Sequence, residues 1–167
     1  GPNSYSGATT VEAGTLLIDA VRAMSAASDY SVATGAQLQV SDGLGAVSAG
    51  SLAGAGNIQI GTGTTLKAGG SNASTTFSGS ISGNGGLDKT GTGTLTLTGA
   101  AGNTYTGDTS VLGGTLSTNA ATLSDIGDVF LETGATLDLD FAGIQLRLLD
   151  PHDICAGAHT LAHVGDH

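Results

Sequence analysis

Residues 90–116 read "TGTGTLTLTGAAGNTYTGDTSVLGGTL". Glycine and threonine dominate this stretch, and Asp108 is its sole charge. By composition it resembles a linker, yet its apolar residues keep a strict spacing. Leu95 and Leu97 alternate with Thr94, Thr96 and Thr98. A period of two puts one set of side chains on one face of a strand and the other set on the opposite face. The flanking glycines suit tight corners, where a backbone with positive φ is needed. The stretch therefore predicts short half-buried strands joined by corners.

Working outward, the second half of this stretch occurs twice. Residues 3–16, "NSYSGATTVEAGTL", align with residues 103–116, "NTYTGDTSVLGGTL", at an offset of 100. Eight of the fourteen positions are identical and three more exchange Ser with Thr, so the chain carries an internal repeat. A looser signature, Gly followed by small residues and then Leu, recurs at Leu16, Leu38, Leu66, Leu95, Leu116 and Leu137. Successive leucines lie 22, 28, 29, 21 and 21 residues apart. Helical spacing is found only in "LLIDAVRAMSAASD", through Leu17, Val21 and Met24.

Short strands recurring every two to three dozen residues predict a coil that winds and returns. One coil cannot bury its own apolar row, but stacked coils share a continuous core. The expected fold is all-β, a right-handed parallel β-helix of about six to seven rungs. At about 4.8 Å per rung the rod would be roughly 30 Å long. The six leucines are expected to form one inward column. A propeller needs evenly spaced blades of four strands, and the uneven leucine spacing argues against it.

Composition agrees. The 167 residues include 29 Gly, no Trp, two Pro and only 11% charged residues. Disorder would bring more proline and denser charge. The net charge of −10 disfavours nucleic acid as a partner. No run of eighteen apolar residues is present to span a membrane as a helix. Cys155 stands alone, which excludes an internal disulfide framework. Gly1-Pro2 reads as a protease-cleavage scar, so the chain is expected to be an excised piece of a longer one.

The wider stretch "FSGSISGNGGLDKTGTGTLTLTGAAGNTYTGDTSVLGGTL", residues 77–116, resembles the passenger-associated repeat of bacterial autotransporters, proteins of type V secretion. The resemblance runs through Phe77, Gly79, Ile81, Gly83, Gly85, Leu87, Lys89, Gly91, Gly93, Leu95, Leu97 and Gly99. It continues through Asn103, Tyr105, Gly107, Thr109, Val111, Gly114 and Leu116. One departure is the inserted "AAG" ahead of Asn103. The resemblance implies a β-helical stalk at the bacterial surface, attached to the outer membrane or released. It implies as partner a C-terminal outer-membrane β-barrel of the same parent protein, absent from this chain. It also implies few cysteines, since a passenger crosses the outer membrane unfolded. The organisation expected is a scar at 1–2, a β-helical segment over 3–141, and an atypical rung, cap or tail over 142–167. A host-surface ligand and end-to-end self-association are the further partners considered.

Candidate chemistry is sparse. His152, His159, His163 and His167 lie with Cys155, Asp153 and Asp166 in the last sixteen residues. Imidazole and thiolate are zinc ligands, but Gly157 and Gly165 break a helix and no C-x-x-C is present. A strand with a preceding turn is the stronger reading. "GNGGLD" at 83–88 is similar to a calcium-binding nonapeptide, yet such motifs work in tandem and this one occurs once. It is expected to be a turn between rungs. Asp138 and Asp140 resemble a glycosidase carboxylate pair but share the outward face of "TLDLDF", which suits solvated charge. Tyr5 and Tyr105 could stack on sugars; bracing the same turn in the two repeat copies is the expected role. Arg22, Lys67 and Lys89, the bases of the body, fall in different rungs, so no proton-transfer pair is expected. The sequence thus predicts no catalytic, cofactor or metal residues, no cofactor, and a structural rather than enzymatic role. Adhesion is the alternative, and a glycan lyase or hydrolase is third.

Overall fold

The computed structural model describes residues 3–99, 102–119 and 127–140. They form strands and turns with no helix, and every strand pairing is parallel. The strands lie in three sheets. The first holds β1 (Thr9–Val11), β3 (Asp29–Val32), β6 (Ser51–Gly54), β9 (Thr75–Phe77), β12 (Thr94–Leu97), β14 (Thr115–Asn119) and β16 (Thr136–Asp140). The second holds β2 (Thr15–Ile18), β4 (Gln37–Val40), β7 (Asn57–Ile60) and β10 (Ser80–Gly83). The third holds β5 (Gly45–Ala49), β8 (Thr64–Ala68), β11 (Gly86–Lys89), β13 (Thr109–Val111) and β15 (Val129–Leu131). The chain visits the three faces in turn and climbs one rung per circuit. This is the all-β, parallel β-solenoid expected from the alternation, with about six turns.

Each circuit takes nearly the same length of chain. Phe77 pairs with Leu97, twenty residues on, and Gly54 with Phe77, twenty-three on. Inward side chains stack into apolar rows: Leu38, Ile58 and Ile81 on the second sheet; Val47, Leu66 and Leu87 on the third; Tyr30, Leu52, Leu95 and Leu116 on the first. All are buried in one core. Burying each such side chain contributes about 1.5–3 kcal/mol, so the rows, and not any single strand, hold the rod together.

The leucine signature does not form one column. Leu16 and Leu38 are register partners on the second sheet. Leu66 sits on the third, beside Leu87. Leu95, Leu116 and Leu137 align on the first. The reason is that a Gly-small-Leu corner opens strands on all three faces. The long steps of 28 and 29 residues are one circuit plus one side, and the steps of 21 and 22 are whole circuits.

The same rule governs the internal repeat. In the first copy its two strands, β1 and β2, lie on the first and second sheets. In the second copy the matching strands, β13 and β14, lie on the third and first. One sequence unit thus serves two different pairs of faces.

The helical spacing at Leu17, Val21 and Met24 gives no helix. Leu17 ends up outward on β2 and exposed, Val21 is exposed in a turn, and Met24 is buried under the core. Here the glycine-poor segment makes a wide corner, and its apolar residues do not share one face.

Stacked rungs leave no room at two kinds of corner. A Cβ on Gly79 would lie 1.7 Å from the Gly56 carbonyl oxygen of the rung below. Gly83 ends β10 at φ +103°, with the Ile60 carbonyl oxygen 2.1 Å from where its Cβ would be. Residues 142–167, expected to form a rung, cap or tail, lie outside the described residues.

Candidate functional site

Function in a rod whose lumen is packed must come from its outward faces and corners. On the first sheet the outward residues form rows of hydroxyls. Thr94, Thr115 and Thr136 are register partners, as are Thr76, Thr96, Ser117 and Asp138. The Ser117 hydroxyl donates to Asp138 Oδ2 at 3.0 Å. Asp138 and Asp140 are exposed on this face, as their alternation implied.

The third sheet carries the charge. Lys67 and Asp88 are outward register partners, 3.0 Å apart across adjacent rungs. This corrects the expectation that bases and acids in different rungs stay out of reach, because rung stacking brings register partners within about 5 Å. The pair is a surface bridge, worth about 0–1 kcal/mol. Beside it a shallow, open recess of about 280 Å³ is lined by Thr65, Asn84, Asp88, Asp108 and Ser110, together with Gly63, Gly85 and Gly86.

The corners are tied by side chains that reach one rung along. Asp42 Oδ1 accepts the Thr62 N–H at 2.7 Å, Asn72 Oδ1 accepts the Thr92 N–H at 2.9 Å, and Asp108 Oδ1 accepts the Asp128 N–H at 3.1 Å. Each clamp spans twenty residues. Asn84 extends one corner into a ladder. Its Nδ2 donates to Thr62 Oγ1 and its Oδ1 accepts from Thr106 Oγ1, both at 3.3 Å. The "GNGGLD" stretch is therefore a corner between β10 and β11, as expected for a turn.

Lys89 departs from its reading as one of the body's bases. Its side chain is inside the rod, 1% exposed, in the row between Ala68 and Val111. The ammonium donates to the carbonyl oxygens of Thr90 at 2.6 Å, Gly91 at 3.2 Å and Gly113 at 3.2 Å. Burial lowers its pKa below the ordinary lysine value. The signal was legible, since Lys89 shares the inward parity of Leu87. The tyrosines brace turns, as expected. Tyr105 Oη lies 2.6 Å from Thr109 Oγ1, and the Thr9 hydroxyl donates to Tyr5 Oη at 3.4 Å. Burial raises the pKa of Tyr105, an effect opposed by its bond to Thr109. Tyr30 meets Tyr5 through their hydroxyls and accepts the Ser25 N–H at 3.1 Å. Its own hydroxyl is pushed up to about 12, first by burial.

Among the described residues no group of three or more His, Cys, Asp or Glu side chains gathers as metal ligands. His152, His159, His163, His167, Cys155, Asp153 and Asp166 lie outside them. Nor is any described helix long and apolar enough to cross a membrane.

Neither a curated protein nor a solved structure gives a significant match to the chain. The model of one family, the passenger-associated-transport-repeat, matches residues 1–18 and residues 87–117. The second match takes in β11 to β14, and the first takes in β1 and β2. These are the two copies of the internal repeat, and the second extends into the preceding rung. Over these two stretches the chain is similar to the passenger-associated-transport-repeat, and both stretches are wound into the parallel β-solenoid.

Proposed function

We propose that this chain is a stalk segment of an autotransporter passenger, holding other regions away from the outer membrane and aiding export by folding. The observation that carries this reading is a passenger repeat wound into a rod whose lumen is filled with aliphatic rows. Such a rod gains its stability one rung at a time, so each rung that folds outside the cell opposes backsliding of the chain. The parent's β-barrel is the partner this role requires, and the cell surface is the location. In this role the chain performs no chemistry. Among the described residues the one salt bridge, Lys67 with Asp88, is an ordinary surface bridge.

The test is display. The chain is placed between an N-terminal epitope and an outer-membrane translocator barrel in a Gram-negative bacterium. The epitope is expected at the surface, accessible to antibody and external protease. Replacing Val111 and Leu116 by Asp, which spoils two buried rows, should lower that signal severalfold at equal synthesis. Equal display with and without these changes would refute the role of folding in export.

A second reading, adhesion, is favoured by one observation: the hydroxyl rows of the first sheet form a broad outward surface with little charge. It predicts that Thr96→Lys weakens attachment of displaying cells to a host surface while leaving display intact.

A further inference from the structure

The register of the third sheet sets its outward residues in two rows along the rod. One row runs Thr65, Gly86, Asp108 and Asp128; the other runs Lys67, Asp88, Ser110 and Phe130. Successive rungs are about 4.8 Å apart, and the two rows, being two residues apart on each strand, are roughly 7 Å apart. Gly86 brings no side chain to the first row, which leaves a gap between Thr65 and Asp108. The gap is fixed by the backbone, since a Cβ on Gly86 would lie 2.7 Å from the Asp108 carbonyl oxygen. The recess of about 280 Å³ is at this gap, with Gly86, Thr65, Asp88, Asp108 and Ser110 among its lining residues.

The second row continues from this recess onto an aromatic ring. Phe130 is the register partner of Ser110 and is 52% exposed. Its parity makes it outward, because its neighbours Val129 and Leu131 pair with the buried Thr109 and Val111. Among the described residues the exposed aromatic rings are Tyr5 and Phe130, and Phe130 is the one beside the recess. The carboxylates there are half committed. Asp88 Oδ2 faces Lys67 Nζ at 3.0 Å, and Asp108 Oδ1 accepts the Asp128 N–H at 3.1 Å. The second oxygen of each is left for a hydroxyl donor. Asp88 is already neutralised by Lys67, and no group of three metal-ligating side chains forms among the described residues, so a cation is not the occupant that fits.

We propose that the third-sheet face from Gly86 to Phe130 binds a neutral oligosaccharide, with one pyranose ring in the recess and the next stacked on Phe130. A pyranose presents C–H groups on its flat face and hydroxyls around its edge. The phenyl ring of Phe130 covers the first, since an aromatic ring offers a large rigid apolar face. The carboxylates of Asp88 and Asp108 accept from the second, and the Ser110 hydroxyl serves both as donor and as acceptor. Gly86 and Phe130 are two rungs apart, about 10 Å along the axis, which leaves room for two linked rings. The recess falls just below the range of about 300–1,000 Å³ of small-molecule sites, so it seats one ring and not a whole glycan. Charge decides the class of sugar. The face carries Asp108 and Asp128 and the chain a net −10, so uronic and sialic acids are repelled while neutral sugars are not. This inference depends on neither export nor the hydroxyl rows of the first sheet, so it and those readings fail separately.

The test titrates the isotope-labelled full chain with lactose, with N,N′-diacetylchitobiose and with sialyllactose, and follows backbone amides by NMR. At least one of the two neutral disaccharides is expected to give saturable shifts confined to the amides around Gly86, Asp108, Ser110 and Phe130, and sialyllactose to bind at least tenfold more weakly. Phe130→Ala, a change at an exposed position that leaves the remaining spectrum in place, should weaken binding at least tenfold, whereas Phe130→Trp should retain it. Thr96→Lys, on the first sheet, should leave it unchanged. No saturable shift with either neutral disaccharide, equal binding of sialyllactose, or full binding by Phe130→Ala would overturn the proposal.

Discussion

Between Leu95 and Thr96 a single step along the chain crosses from lumen to surface. Leu95 is 2% exposed and stacks between Thr75 and Leu116, while Thr96 looks outward beside Thr76 and Ser117. Leu95→Asp strands an uncompensated charge in the core and should cost about 3–5 kcal/mol. Thr96→Asp should stay within about 0.5 kcal/mol. Denaturant midpoints of the two variants check the register directly. Tyr30 makes a pH prediction. Its folded pKa of about 12 lies above the ordinary 10.0. Below pH 10 both states hold the proton and the stabilisation is complete. Between pH 10 and about 12 the unfolded chain releases the proton while the folded chain keeps it, so stability falls. Tyr30→Phe should cost about 1 kcal/mol at neutral pH through its lost hydrogen bonds and should flatten that alkaline fall in urea titrations. Lys89 shows what a residue-level reading can miss. Its parity with Leu87 pointed inward, but the carbonyls that receive its ammonium belong partly to the next rung, and nothing in the local sequence announces them.

At the scale of the element, strands of three to five residues have little stability of their own. They persist because those inside each sheet are hydrogen-bonded on both sides, and several corners are clamped by side chains. Asp42 is such a clamp, and Asp42→Ala should cost about 1 kcal/mol, read as a lower melting temperature with faster amide exchange at Thr62. Alternating strands such as β7, "NIQI", and β12, "TLTL", were legible in the sequence, because one face of each is packed and the other is not. The three-residue strands β1, β9, β13 and β15 were not separately legible, since a period of two cannot be counted over so short a run. Which sheet a strand joins was also hidden. The Gly-small-Leu corner is shared by all three faces, so local sequence says that the chain turns but not which side it has reached. The clamps spanning twenty residues were likewise invisible until the length of a circuit was known.

Across the whole molecule, order along the rod replaces long-range topology. Each rung touches its neighbours, so stability accumulates nearly additively along the axis. The net charge of −10 gives such rods a mutual repulsion. The internal repeat adds one more consequence. Its copies sit 100 residues apart, four circuits and two sides, and the fold accepts the same unit on either pair of faces. Length inserted in such a chain therefore works as a compass dial. A whole circuit lifts whatever lies beyond it without changing its bearing, whereas a third of a circuit swings it round to the next side. A lineage of such rods could re-aim a displayed loop by duplication alone, with no new contact to invent in the core.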